Sequence, residues 1–280
     1  MRYDEIIEAM NESVSKLEGS RRVAERDALL DEVVLSLKSD SSVVAAWLFG
    51  SLGRGTEDAL SDLDIFVVVK DEAIDDFILD RRTKVATTLN PFFFVEAPQN
   101  RPPEGAYLMA LYSGETGPHI VDWYWQRESQ ACIPSQTRLL FERTCLPRSI
   151  YPTTCMVQPA EPTNELRELN NSFRFCWAMT LIAGKYSARH PKEKGNGMIA
   201  NAWRIQQELR FKLTGEATSE APAQPNSEEN LKLLFQLADS LETLIPAIRS
   251  KGGTSPTGIR EQTQLFLDFI SPCFELEGER

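Results

Sequence analysis

Apolar residues recur at three- and four-residue intervals over two stretches near the N-terminus: Ile6, Ile7, Met10, Val14 and Leu17, then Val23, Leu29, Leu30, Val33, Val34 and Leu37. The spacing predicts two amphipathic helices, and Gly19-Ser20 between them predicts a break. The pattern then changes. Residues 43–49 form a short apolar run that ends at Gly50, and residues 65–69 form a β-branched run. Both have the length and composition of buried strands. Asp71 is placed to cap a helix reaching about Leu89, residues 91–95 read as a strand, and residues 98–103 as a proline-rich loop. Residues 107–112 and 120–125, joined through Ser113-Gly114-Glu115-Thr116-Gly117, predict a β-hairpin, and residues 138–142 one more strand. No regular βαβ period runs through these elements, so the expected fold is α+β, a mixed β-sheet with helices packed against it.

Beyond this region the pattern becomes helical. Residues 147–162 hold several prolines and few periodic apolar positions, which predicts an extended connection. Stretches 165–188, 197–213, 228–249 and 259–270 each carry helical spacing, with a loop at 215–227 rich in Ala, Pro, Ser and Glu. The expected organisation is a sheet domain at 1–146, a linker at 147–162 and an all-α bundle at 163–280, without internal repeats.

Composition narrows the function classes. At 280 residues, 42% hydrophobic and 25% charged, the chain lies outside the disordered, collagen and coiled-coil classes. Its net charge of -11 repels phosphate backbones and anionic lipid, so nucleic acid is not expected as the main partner. The same surplus suits cationic small molecules and divalent metals. No uncharged apolar stretch approaches the roughly 18 residues of a membrane span, and the acidic N-terminus is unlike a signal peptide. Five cysteines (Cys132, Cys145, Cys155, Cys176, Cys273) with no CxxC pair argue against a disulfide framework or a structural zinc, so a cytoplasmic location is expected.

The chemistry concentrates in Trp47-Leu-Phe-Gly50-Ser51-Leu-Gly53-Arg54-Gly55-Thr-Glu-Asp58-Ala-Leu-Ser61-Asp62-Leu-Asp64-Ile-Phe. Gly50, Gly53 and Gly55 let backbone amides approach an anion, Ser51 adds a hydroxyl donor and Arg54 a guanidinium. Asp62 and Asp64, two apart at the mouth of a strand, would point to one face and repel each other unless a cation neutralises them. Hard carboxylate oxygens select Mg²⁺ or Mn²⁺. Asp122, between Val121 and Trp123 in a hairpin strand, is a further carboxylate in apolar company.

Gly50-Ser51, a spacer of about ten residues and Asp62-Leu63-Asp64-Ile65 closely resemble the signature of the DNA polymerase β-like nucleotidyltransferase superfamily. The form Gly-Ser-x-x-Arg-Gly followed by Ser61-Asp62-x-Asp64 is most similar to its small-molecule, aminoglycoside- or lincosamide-type, members. The resemblance implies a catalytic and metal-binding triad of Asp62, Asp64 and Asp122 with two Mg²⁺ ions. It implies phosphate contacts from Gly50, Ser51, Gly53, Arg54 and Ser61, and Lys185 reaching the triphosphate from the second domain. The reaction implied is transfer of a nucleoside monophosphate, AMP from ATP first, to a hydroxyl of a small molecule, with antibiotic resistance as its setting. Two other readings use the same motif: a toxin-antitoxin-type enzyme modifying a protein or tRNA, and a catalytically silent nucleotide-binding regulator. His119 and His190, the aromatic run 123–125, the loop carboxylates Glu57 and Asp58, and Glu96 and Glu165 have no role that the sequence specifies.

Overall fold

The structure, a computed structural model, describes residues 3–153, 165–189, 194–216 and 227–275. The chain divides into two compact units, one of Gly19–Ser113 with His119–Pro162, the other of Met1–Glu18, Gly114–Pro118 and Thr163–Arg280. The first helix, α1 (Tyr3–Ser39), is continuous, so the break expected at Gly19-Ser20 does not occur. A glycine inside a helix costs about 1 kcal/mol. Burial of Leu30, Val33 and Leu37 on one face of α1 outweighs that.

After α1 the sheet unit runs β1 (Val43–Leu48), α2 (Gly50–Arg54), β2 (Leu63–Val69), α3 (Ile74–Leu79), α4 (Arg81–Thr88), β3 (Phe93–Val95), β4 (Ala106–Tyr112), β5 (His119–Arg127), β6 (Ile133–Ser135), β7 (Arg138–Glu142) and β8 (Arg148–Pro152). Six strands form one mixed sheet in the order β3-β4-β5-β2-β1-β7. Only β2 and β5 run parallel in it; the other neighbours are antiparallel. The expected α+β class holds. The single helix expected over 71–89 is instead two short ones. Arg81 donates to the Ile78 carbonyl at 2.6 Å, and Arg81 and Arg82 turn to Glu96 at 3.0 and 2.8 Å, which breaks the helical path near Asp80. Asp71, expected to cap that helix, accepts the Ser129 N–H at 3.0 Å. Part of the expected linker is also ordered: β8 pairs parallel with β6, and residues 154–164 lie outside the described residues.

Alternation along the strands gives the sheet two different faces. Leu63, Ile65 and Val67 of β2 and Val121, Trp123 and Trp125 of β5 share a core with Leu30, Val33 and Leu37 of α1 and Phe77 of α3. The opposite face carries Trp47, Phe66, Tyr124 and Tyr107 in one row across β1, β2, β5 and β4. Trp47 stacks on Phe66 at 4.8 Å and Phe66 on Tyr124 at 6.1 Å, while Tyr107 meets Tyr124 edge-on at 5.0 Å. Such ring pairs each add about 0.5–1.5 kcal/mol beyond the area they bury.

The helical unit contains α5 (Glu165–Arg189), α6 (Asn196–Thr214), α7 (Ser227–Thr243), α8 (Ile245–Ser250), α9 (Ile259–Ile270) and α10 (Pro272–Glu275). Phe173, Trp177, Leu234, Leu237 and Phe266 are among its fully buried side chains. The helix expected over 228–249 is divided at Leu244, where Pro246 begins a new helix with its missing N–H in the first turn. Gly215 closes α6 with φ +71, and residues 217–226 of the expected loop lie outside the described residues. Among the described residues no helix is long and apolar enough to cross a membrane. Cys132, Cys145, Cys176 and Cys273 are free thiols.

A polar tie joins α1 to β5. The His119 ring at the start of β5 donates through Nε2–H to Glu25 at 3.0 Å, since a carboxylate only accepts. Burial, and then Arg22, push the imidazole down to about 4, against the opposing pull of Glu25 and Asp62. The folded value lies below the unfolded value of 6.5, so the unfolded chain binds the extra proton. This contribution to stability, on the order of 3 kcal/mol, is therefore complete above about pH 6.5 and is lost as pH falls through about 4. His119→Gln is expected to flatten the fall in urea-denaturation stability across that window; an unchanged pH dependence would contradict the assignment.

Candidate functional site

The parallel pairing of β2 and β5 places Asp64 directly opposite Asp122. Both carboxylates are half-buried and lie in the row beside the aromatic one, since Phe66 and Tyr124 follow them two residues on. Neighbouring strands are about 4.8 Å apart, so two like charges share one face at close quarters. Asp62 precedes β2, which begins at Leu63, and stands close enough to His119 to act on it electrostatically. Asp62 thus lies in the loop, one residue ahead of the strand that carries Asp64.

The glycine-rich segment closes over Asp64. The Phe49 N–H donates to the Asp64 carbonyl at 3.1 Å, and Gly50 follows with φ +66. A Cβ at Gly50 would lie 2.0 Å from Asp64 Oδ2, so the backbone approaches the carboxylate as only glycine permits. At Gly53 a Cβ would lie 2.7 Å from the Leu48 carbonyl and 2.9 Å from that of Gln136. Its N–H donates to the Phe49 carbonyl at 3.1 Å within the turn of α2. Ser51 is half-buried in α2, and Arg54 is exposed at its end. The Ser61 hydroxyl donates to Asp58 Oδ1 and accepts the Asp58 N–H, each at 3.0 Å, closing a turn just ahead of Asp62. Lys185 belongs to the helical unit, where it is buried on α5.

The structure therefore brings together Asp64, Asp122 and Gly50, with Asp62 on the loop that leads in. Hard carboxylate oxygens on Asp64 and Asp122 suit a divalent cation such as Mg²⁺. Among the described residues, however, no group of three or more His, Cys, Asp or Glu side chains is gathered closely enough to hold a metal ion. One residue without a role in the sequence reading joins the site. Tyr107, 4% exposed, donates its hydroxyl to Asp122 Oδ1 at 2.5 Å. Burial, reinforced by Asp122 and Tyr124, holds this phenol well above its usual range, so it remains a donor. The available signal was strand parity. Met109 lies opposite Asp122, and Tyr107 is two residues away on the same face. The run 123–125 divides by the same parity: Trp123 and Trp125 enter the core under the helices, and Tyr124 joins the aromatic row.

Residues 32–104 match the family model described as Polymerase beta, Nucleotidyltransferase. Among curated proteins none matches the chain. Among solved structures the chain is similar to a STING-associated CdnE c-di-GMP synthase from Capnocytophaga granulosa, at 12% identity over 91% of this chain and 81% of that one. The TM-score of 0.27 is too low for that likeness to carry weight beside the sheet topology and the family match.

Two substitutions probe this geometry. Gly50→Ala is expected to lower stability by about 1–3 kcal/mol in chemical denaturation, from left-handed strain and the clash with Asp64; a loss under about 0.5 kcal/mol would contradict the close approach. Tyr107→Phe keeps the ring but removes the donor to Asp122, with an expected cost of about 1–3 kcal/mol. Unchanged stability would mean that the hydrogen bond does not constrain Asp122.

Proposed function

Starting from a chain that carries a polymerase β-type nucleotidyltransferase domain, we propose that this enzyme transfers a nucleoside monophosphate, AMP from ATP first, to a hydroxyl of a small molecule. The observation that carries the reading is the register of Asp64 with Asp122, closed on one side by Gly50. A paired carboxylate face of this kind suits a reaction in which charge builds on phosphate oxygens and is met by a bound cation. Asp64 and Asp122 would hold a divalent cation, with Asp62 joining only once the bound ion draws the three carboxylates together. When bound, that cation would neutralise the triphosphate and lower the pKa of the acceptor hydroxyl. Ser51 and the backbone around Gly50 would receive the phosphates.

Tyr107 would restrain Asp122 by binding one of its oxygens. For the acceptor, the net charge of -11 favours a polycationic, aminoglycoside-like hydroxyl compound, whose approach it would steer.

The reading is tested by incubating the protein with each α-labelled nucleoside triphosphate and Mg²⁺, with and without a panel of aminoglycosides, and identifying products by mass. An acceptor heavier by one nucleoside monophosphate is expected, and Asp64→Asn is expected to reduce its formation about a thousandfold or more. Turnover at the wild-type rate in Asp64→Asn would overturn the carboxylate assignment. Labelled product formed from nucleotides alone would instead place the acceptor hydroxyl on a second nucleotide.

A further inference from the structure

One turn of α1 carries three charged residues that the site described so far does not use: Arg22, Glu25 and Arg26. Arg22 and Arg26 are each only 4% exposed, and a guanidinium is not withdrawn from water without partners for its N–H groups. Arg26 donates from Nη1 to the Asp58 backbone carbonyl at 2.8 Å, while its Nε and Nη2 donate to Asp27 Oδ1 at 3.1 and 3.0 Å. That same Asp58 carbonyl accepts the Ser61 N–H at 3.2 Å, and the Asp58 carboxylate accepts the Leu60 N–H at 2.9 Å. Arg26 thus grips the closing point of the turn that delivers Asp62 and Asp64. One residue earlier, Glu25 holds His119, the first residue of β5 and three residues ahead of Asp122.

This turn needs a polar anchor because it has no apolar one. From Gly53 to Asp62 no residue is buried, so the hydrophobic effect does not specify where the segment sits. A rigid helix bonding to a loop carbonyl can specify it. Glu25, Arg26 and His119 lie outside the family match at residues 32–104, and Asp58 lies within it.

We propose that Glu25 and Arg26 are positioning residues for nucleotidyl transfer: from one turn of α1 they set the placement of the two chain segments that bring Asp62 and Asp64, and Asp122, to the reacting phosphate. The role rests on the proposed function. Neither residue touches substrate; each acts through the backbone or ring that it holds. Displacements of about 1 Å in such a site cost up to about a hundredfold in rate, so small shifts of these segments would register in turnover.

The experiment compares Glu25→Ala, Glu25→Gln, Arg26→Leu and Arg26→Lys in the full-length chain, measuring thermal midpoint, kcat, nucleotide KM and amide exchange of residues 57–64. Glu25→Ala and Arg26→Leu are expected to lower kcat by about 10- to 100-fold, with KM changed by less than about threefold. Glu25→Gln keeps an acceptor for the His119 N–H and is expected to restore most of the loss. Exchange at 57–64 should quicken in Arg26→Leu. If Arg26→Leu fails to fold, the Glu25 pair decides the matter. Wild-type transfer with undiminished kcat in Glu25→Ala, or no rescue by Glu25→Gln, would overturn the positioning role alone. Absence of transfer by the wild type with all four nucleotides would overturn the functional reading, and this role with it.

Discussion

Laying β5 parallel to β2 and in register puts two aspartates, Asp64 and Asp122, at the same level on the same face of the sheet. At the spacing of adjacent strands, like charges repel by on the order of 3 kcal/mol at an effective dielectric near 20. A fold that keeps this arrangement must offset the repulsion locally or leave it to be offset by a bound cation. Much of the surrounding architecture is local restraint on this pair. Gly50 packs its backbone against one carboxylate, Tyr107 donates to the other, and the aromatic row lies beside both on the same face.

The two faces of the sheet divide the work. Beneath the helices, Ile65, Val67, Trp123 and Trp125 supply the apolar burial that holds β2 and β5 side by side. On the other face, alternation by one residue exposes the carboxylates and stacks the aromatic row. A slip of one residue in either strand would exchange its faces, driving an aspartate into the core and an apolar neighbour, Ile65 in β2 or Trp123 in β5, out of it. Register is thus specified strongly by the same residues that place the charges. The single parallel pair in an otherwise antiparallel sheet is what brings an early carboxylate beside a late one, with α3, α4, β3 and β4 in the intervening chain.

Local spacing made part of this site legible in the sequence. Gly50, Ser51 and Asp64 lie within one strand-turn-strand passage, where the distance between residue types already encodes geometry. Asp122 could be picked out because a carboxylate flanked by Val121 and Trp123 contradicts its surroundings. Strand parity assigned Tyr107 a face of β4, but its link to Asp122 depends on the register of β4 against β5, which no local pattern states. Glu25 and Arg26 were hidden for the same reason: their partners, His119 and Asp58, are 94 and 32 residues away. Gly19 and the helix over 71–89 misled in opposite ways. In the first case tertiary burial overrode a weak local breaker; in the second, arginines bonding to Ile78 and Glu96 interrupted a pattern that looked continuous.

The proposed function depends on Asp64 and Asp122 jointly forming the cation-dependent end of a nucleotide site. The most direct measurement is a crystal structure of the protein grown with Mn²⁺ and a non-hydrolysable ATP analogue, read by anomalous scattering. The expected result is an anomalous peak at the two carboxylates, with the analogue's phosphates beside Ser51. A nucleotide and metal bound elsewhere, or no peak at these aspartates under saturating Mn²⁺, would contradict it.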